Sequence, residues 1–150
     1  MAPTTAEHRR AQVFSRLAAT LATATFLLTA CGGEEGIAVH QDPQLLERAQ
    51  QAIRAGQTVP LRSIAQGDWD RVHVFPGPTT RDSVEQAVGA DIEMPDIHEG
   101  GIVVFLKGGR IERVTELVPY PFDGNGGSYG PDVVAAPMPA TNPGWLRLSE

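Results

Sequence analysis

The chain has only one cysteine, Cys31, and one lysine, Lys107, among its 150 residues. A single cysteine excludes an intrachain disulfide framework and any zinc module built from several cysteines. Aromatic residues are also scarce, at 6% of the chain. The sequence is otherwise 41% hydrophobic and 20% charged, which excludes a wholly disordered chain and a multi-span membrane protein. Its length is sufficient for one domain and too short for two ordinary ones.

Charge is absent from residues 17–28, which follow a polar segment that contains Arg9, Arg10 and Arg16. A basic segment, an apolar stretch of this length and an exit of small residues are typical of a secretory signal. The apolar stretch falls short of the ~20 residues that a helix needs to span a bilayer. We therefore predict that residues 1–30 are a signal peptide.

The end of this segment, Leu28-Thr29-Ala30-Cys31, resembles the bacterial lipobox. The resemblance implies that cleavage occurs before Cys31 and that this cysteine carries a diacylglyceryl group, with palmitate among its acyl chains. Two acyl chains give stable membrane anchoring, whereas one gives only reversible binding. The predicted location is the extracytoplasmic face of the cell membrane; the alternative is a free thiol beside a simple secretory cleavage site.

The predicted mature chain is strongly acidic. Residues 1–30 contain three arginines and one glutamate, so the remainder holds 9 basic and 17 acidic residues, a net charge of −8. This charge disfavours nucleic acid as a partner. Residues 31–41 are polar and rich in glycine, and we interpret them as a flexible tether.

Two helices and a β-hairpin are predicted from caps and turns. Asp42 and Pro43 begin one helix, which Gly56 ends, and a second helix covers residues 80–88 between Thr80 and Gly89. The other predicted features are a possible short helical turn over residues 61–64, a strand over 69–75, and a hairpin of strands 102–106 and 110–118 around Gly108-Gly109.

These elements predict an α+β domain over residues 42–120, with two short helices on one face of a small, mainly antiparallel sheet. Residues 121–150 are rich in glycine and proline, which predicts a loop or tail. Residues 145–148 could add a short terminal strand.

No catalytic motif in the sequence has the neighbouring elements and residues that its chemistry requires. Residues 126–130 match G-x-S-x-G around Ser128, but the nucleophile elbow needs a strand before it, a helix after it and a later histidine. No histidine follows His98, and we interpret the segment as a flexible glycine loop. The segment from Asp123 lacks the ligands of an EF-hand. The sequence therefore predicts no enzyme and no cofactor.

An acidic segment offers the best candidate for a metal site. Five potential ligands fall within nine residues: Asp91, Glu93, Asp96, His98 and Glu99. Carboxylates with one imidazole suit Ca²⁺ or a transition metal. The alternative is a solvated acidic loop.

The strand over residues 69–75 offers a candidate partner-binding face. Trp69, Arg71 and His73 alternate along one side of it, and exposed aromatic and arginine side chains are typical of interface hot spots. The alternative is that Trp69 belongs to the core.

The segment Gly67-Asp-Trp69-Asp-Arg-Val-His-Val-Phe75, with the helix and hairpin that follow, is similar to a group of small bacterial lipoproteins without assigned activity. The similarity covers residues 61–118. It implies a membrane-anchored lipoprotein, and we predict a non-enzymatic module that binds an envelope or extracellular protein. The alternative is a lipoprotein that binds a ligand or metal through residues 91–99.

Overall fold

The computed structural model describes residues 36–139 and 144–150, which form three helices and nine strands. The predicted signal peptide and Cys31 lie outside the described residues. The helices are α1 (Pro43–Ala55), α2 (Leu61–Ile64) and α3 (Arg81–Val88). The strands are β1 (Ile37–Gln41), β2 (Val59–Pro60), β3 (Arg71–Pro76), β4 (Ile92–Glu93), β5 (Gly101–Lys107), β6 (Arg110–Leu117), β7 (Gly127–Tyr129), β8 (Val134–Pro137) and β9 (Leu146–Ser149).

Six strands form a mixed sheet in the order β4-β1-β6-β5-β3-β7. Strand β1 runs parallel to both of its neighbours, while the other pairs in this sheet are antiparallel. Strands β2, β8 and β9 form a second, antiparallel sheet. The mixed α+β content agrees with the predicted fold class.

The predicted helix caps are confirmed. The Asp42 carboxylate accepts the backbone N–H of Leu45 at 2.9 Å, and Gly56 ends α1 in the left-handed conformation that favours glycine. Thr80 caps α3 in the same way, and Gly89 ends it. Both glycines of the β5–β6 hairpin turn have positive φ, which type I′ turns require.

The large sheet is covered on both faces, which corrects the prediction that the helices lie on one face. On one face, Val72, Val74 and Phe105 pack in a core that includes buried residues of α1, α2 and the second sheet. On the other face, a second core joins Val104 and its neighbours to Val84 of α3.

The structure also differs from the predicted boundaries of the tether. The tether was predicted to reach residue 41, but Ile37–Gln41 form β1, with Val39 paired to Val114 of β6. The alternating apolar residues Ile37 and Val39 pack against the second core, and this burial favours a strand over a flexible segment.

The prediction of a loop or tail for residues 121–150 is wrong where β7 and β8 form, whereas the short terminal strand that it allowed over residues 145–148 corresponds to β9. This region contains β7, β8 and β9, and Phe122, Val133 and Leu146 are fully buried. Glycine and proline are frequent in this region, but its few large apolar residues pack in the first core. Burial of these side chains outweighs the local preference for loops.

Candidate functional site

Trp69 is not available as a contact residue, which corrects its assignment to a partner-binding face. Only 1% of its surface is exposed. Its indole N–H donates to the carbonyl of Ala65 at 2.8 Å, and its ring packs against Phe105 with centroids 5.6 Å apart. The residue precedes β3, so the strand alternation that placed it beside Arg71 does not apply to it.

The predicted metal ligands do not assemble into a site. Asp91, Glu93, Asp96, His98 and Glu99 are all exposed. Within residues 36–139 and 144–150, no group of three or more His, Cys, Asp or Glu side chains could hold a metal ion. The Asp96 carboxylate instead accepts the backbone N–H of Arg81 at 3.0 Å.

The acidic segment contributes apolar side chains to the second core, which its high charge does not predict. Ile92, Met94 and Ile97 alternate with the acidic residues and are buried in the second core. Ile97 also exchanges backbone hydrogen bonds with Thr79. The segment therefore covers one face of the sheet, and its carboxylates point outward because their neighbours point inward.

Arg71 and His73, which the sequence did assign to a contact face, form a cluster with a third residue, Ser128. We call these three residues the Arg71 cluster. His73 and Ser128 are directly opposite each other on β3 and β7. The Arg71 guanidinium donates to the Ser128 hydroxyl at 3.3 Å, and that hydroxyl lies 3.4 Å from Nε2 of His73.

The electrostatics of the Arg71 cluster are cationic, in contrast to the acidic chain as a whole. Partial burial, with a further contribution from the Arg71 charge, lowers the pKa of His73 below its ordinary value of 6.5. The imidazole is thus neutral near pH 7. In the described part of the chain, Arg71 makes no salt bridge.

Ser128 is the residue of the G-x-S-x-G match, and its surroundings differ from the predicted glycine loop. It lies in a regular strand, β7, with a histidine from β3 beside it. The extended strand around Ser128 lacks the sharp strand–turn–helix bend on which a nucleophile elbow depends. The arrangement brings a guanidinium, a hydroxyl and an imidazole together at one place.

A cavity of about 320 Å³ adjoins the Arg71 cluster. Its lining includes His73 and Ser128 together with the apolar side chains of Phe75, Pro76 and Ala87. The His73 and Phe75 rings are stacked nearly parallel, with centroids 6.2 Å apart. The cavity thus joins a polar end to an apolar wall, which is the usual composition of a small-molecule site.

A second candidate site lies around Trp145. Two large hydrophobic side chains of the described residues are exposed, Val118 at 50% and Trp145 at 45%. Both line a cavity of about 400 Å³, which we call the Trp145 groove. Its other lining residues are Pro76, Gly77, Glu99, Gly100, Pro119, Tyr120, Phe122 and Gly124.

The floor of the Trp145 groove is aromatic and closely packed. The rings of Tyr120 and Phe122 meet edge to face at 5.5 Å. Gly101 lies beneath the Tyr120 ring, where a Cβ atom would approach the ring to 2.5 Å. A glycine is therefore required for β5 to pack against this ring, and the floor is closely packed.

The groove is bordered by acidic residues. Glu99 lines it directly, and Val118 also borders a smaller cavity of about 190 Å³ that Asp42 and Glu116 line. No lysine or arginine is among the described residues that line either cavity.

Sequence reasoning missed Ser128, Val118 and Trp145 as site residues. The Ser128–His73 contact depends on pairing between β3 and β7, which are separated by some fifty residues and by a segment interpreted as loop. The sequence contained no signal that distinguished the exposed tryptophan from the buried one.

Comparison with family models, with curated proteins and with solved structures finds no match to this chain. Within the described ranges, none of the helices is long and apolar enough to cross a bilayer.

Proposed function

We propose that this chain is an extracytoplasmic lipoprotein, anchored through Cys31, that binds another protein through the Trp145 groove. The observation that carries the binding proposal is the position of Val118 and Trp145. These two exposed apolar side chains border the same concave surface. Exposed apolar groups around a pocket, bordered by polar residues, mark sites of protein contact.

The floor of the groove supports a preformed site. Tyr120 and Phe122 are held by their mutual contact and by the close approach of Gly101. A site that needs little rearrangement loses little entropy on binding. Tryptophan and tyrosine are also the residues that most often dominate the free energy of binding at interfaces.

The acidic residues around the groove favour a basic partner segment. Glu99 lies in the groove, and Glu116 lies beside Val118 in the adjoining cavity. A partner segment with an apolar side chain flanked by arginine or lysine complements this surface, whereas an acidic segment is repelled. We therefore propose a basic, apolar segment of an envelope protein as the occupant.

A peptide-binding experiment tests the groove with Trp145 as its own reporter. Extended peptides with a leucine flanked by arginines are compared with peptides in which glutamates replace the arginines. We expect the basic series to protect Trp145 emission from acrylamide quenching, and the acidic series to give no protection. Val118→Ser should weaken binding at least about tenfold, while Gln86→Ala, an exposed change on α3 outside the groove, should leave it unchanged.

The peptide experiment contradicts the proposal if both series bind alike or if Val118→Ser has no effect. Self-association that Trp145→Ala abolishes would replace the partner with a second copy of this chain. In cells, a photocrosslinker at position 145 should capture a protein that the same group at position 86 does not. Binding of that purified protein should then depend on Trp145.

The anchor is tested separately by labelling cells with palmitate. Label should enter the wild-type chain and be absent from Cys31→Ala, because Cys31 is the only cysteine. Label that persists in the variant would refute lipidation at this residue.

A further inference from the structure

We propose that the Arg71 cluster binds the carboxylate of a small apolar acid whose apolar part lies in the adjoining cavity. This site shares Pro76 with the Trp145 groove but uses neither Val118 nor Trp145. It is independent of the acidic segment that the sequence favoured as a ligand site.

The Arg71 guanidinium has more hydrogen-bond donors than it uses among the described residues. The Arg71 guanidinium has five N–H donors, and among the described residues its one hydrogen-bond partner is the Ser128 hydroxyl. The fork of a guanidinium matches the two oxygens of a carboxylate. His73 and Ser128 add a ring nitrogen and a hydroxyl within hydrogen-bonding distance of each other.

The charge of the cluster favours a monoanion. Arg71 contributes one positive charge, and His73 is neutral near pH 7 because partial burial and the neighbouring guanidinium lower its pKa. A carboxylate neutralises this single charge. A phosphate dianion would leave one negative charge on a protein whose formal net charge is already −6.

The cavity defines the rest of the ligand. Phe75, Pro76 and Ala87 provide an apolar wall beside the polar end formed by His73 and Ser128. Strand β7 is the edge strand of the large sheet, so none of the described strands covers Ser128 from that side. A volume of about 320 Å³ is at the lower end of the range for small-molecule sites, which suits a short alkyl or aromatic acid.

Nuclear magnetic resonance titration of the full chain with sodium octanoate tests this inference. We expect saturable chemical-shift changes at His73, Phe75 and Ser128. Octanol, which keeps the alkyl chain without the charge, and inorganic phosphate should each bind at least about tenfold more weakly. Arg71→Gln should raise the dissociation constant for octanoate about tenfold or more, since a hydrogen-bonded charge is lost.

The matched control is Arg110→Gln, which removes an exposed guanidinium on β6. Both arginines lie outside the cavity lining, but Arg71 donates a hydrogen bond to the lining residue Ser128. Arg110→Gln should leave octanoate affinity within about twofold. Equal losses from the two arginine variants would show that only net charge matters. Equal binding of octanol, equal binding of phosphate, or no saturable shift at these residues would each overturn the inference.

Discussion

At the scale of single residues, the two tryptophans have opposite environments. Trp69 is enclosed by Phe105 on one side and by the Arg62 guanidinium 4.7 Å from its ring centroid. Trp145 leaves 45% of its surface exposed at the edge of a groove. The same side chain therefore contributes to stability in one place and remains free for binding in the other.

We predict that Trp69→Ala lowers the free energy of unfolding by about 3–5 kcal/mol, the range for deleting a buried large aromatic. Trp145→Ala should change it by less than about 0.5 kcal/mol, as for most surface substitutions. Urea unfolding followed by circular dichroism measures both. Similar losses in the two variants would contradict the assignment of Trp69 to the core and of Trp145 to the surface.

His73 gives a prediction about pH. Its pKa in the folded chain lies below 6.5, through partial burial and the charge of Arg71, so the unfolded chain binds this proton more readily. The contribution of His73 to stability is therefore complete above pH 6.5 and decreases as the pH falls toward the folded-state pKa. His73→Asn should reduce the loss of stability between pH 7 and pH 5.

The His73 pKa is measured directly from its ring resonances. We expect a value below 6.5 in the wild type and a rise in Arg71→Gln, because the neighbouring positive charge is removed. Val104 of β5 and Ser128 of β7, the paired neighbours of His73 across the sheet, carry no charge that would oppose this shift. A pKa that does not respond to Arg71→Gln would show that burial alone determines it.

At the scale of elements, local signals predicted α1, α3 and the β5–β6 hairpin because each depends on nearby residues. Caps and a glycine turn specify these elements within a few residues. Strands β1 and β7 were missed because long-range pairing stabilises them. The metal site predicted in the acidic segment was wrong for a related reason. The prediction used the charged residues, whereas the alternating Ile92 and Met94 determine how the segment packs.

Asp42 caps a helix and also forms an ion pair with a residue distant in sequence. One carboxylate oxygen caps α1, and the other pairs with Arg113 of β6 at 3.1 Å. We predict that Asp42→Ala costs about 1–2 kcal/mol through loss of the cap and of the partly buried ion pair. Asp42→Asn keeps a capping oxygen and should cost less than Asp42→Ala.

Thr80→Ala is the matched control for Asp42, because Thr80 caps α3 without an ion pair. It should cost about 1 kcal/mol, the typical value of a cap. Urea unfolding of the three variants ranks their losses in the free energy of unfolding. A loss in Asp42→Asn as large as that in Asp42→Ala would assign the whole effect to the charge and none to the cap.

At the scale of the whole molecule, one sheet forms a wall of both cores. Its residues alternate between a core with α1, α2 and the second sheet and a core with α3 and the acidic segment. Strand β1 lies between β4 and β6, and it connects the acidic segment to the rest of the sheet. The stability of the fold therefore depends on β1, although its composition predicts a flexible tether.

Disruption of β1 tests this dependence in the full chain. Val39→Pro removes a backbone N–H and places a proline ring where Val39 pairs with Val114 of β6, and it should lower the free energy of unfolding by about 3 kcal/mol or more. Val39→Thr keeps the β-branched shape and the N–H, and should cost about 1 kcal/mol. Amide hydrogen exchange should also show slowed exchange in residues 39–41, which pair with β6, because hydrogen-bonded strand amides exchange only after local opening. A flexible tether would tolerate proline with a change below about 0.5 kcal/mol, and that result would remove β1 from the stable fold.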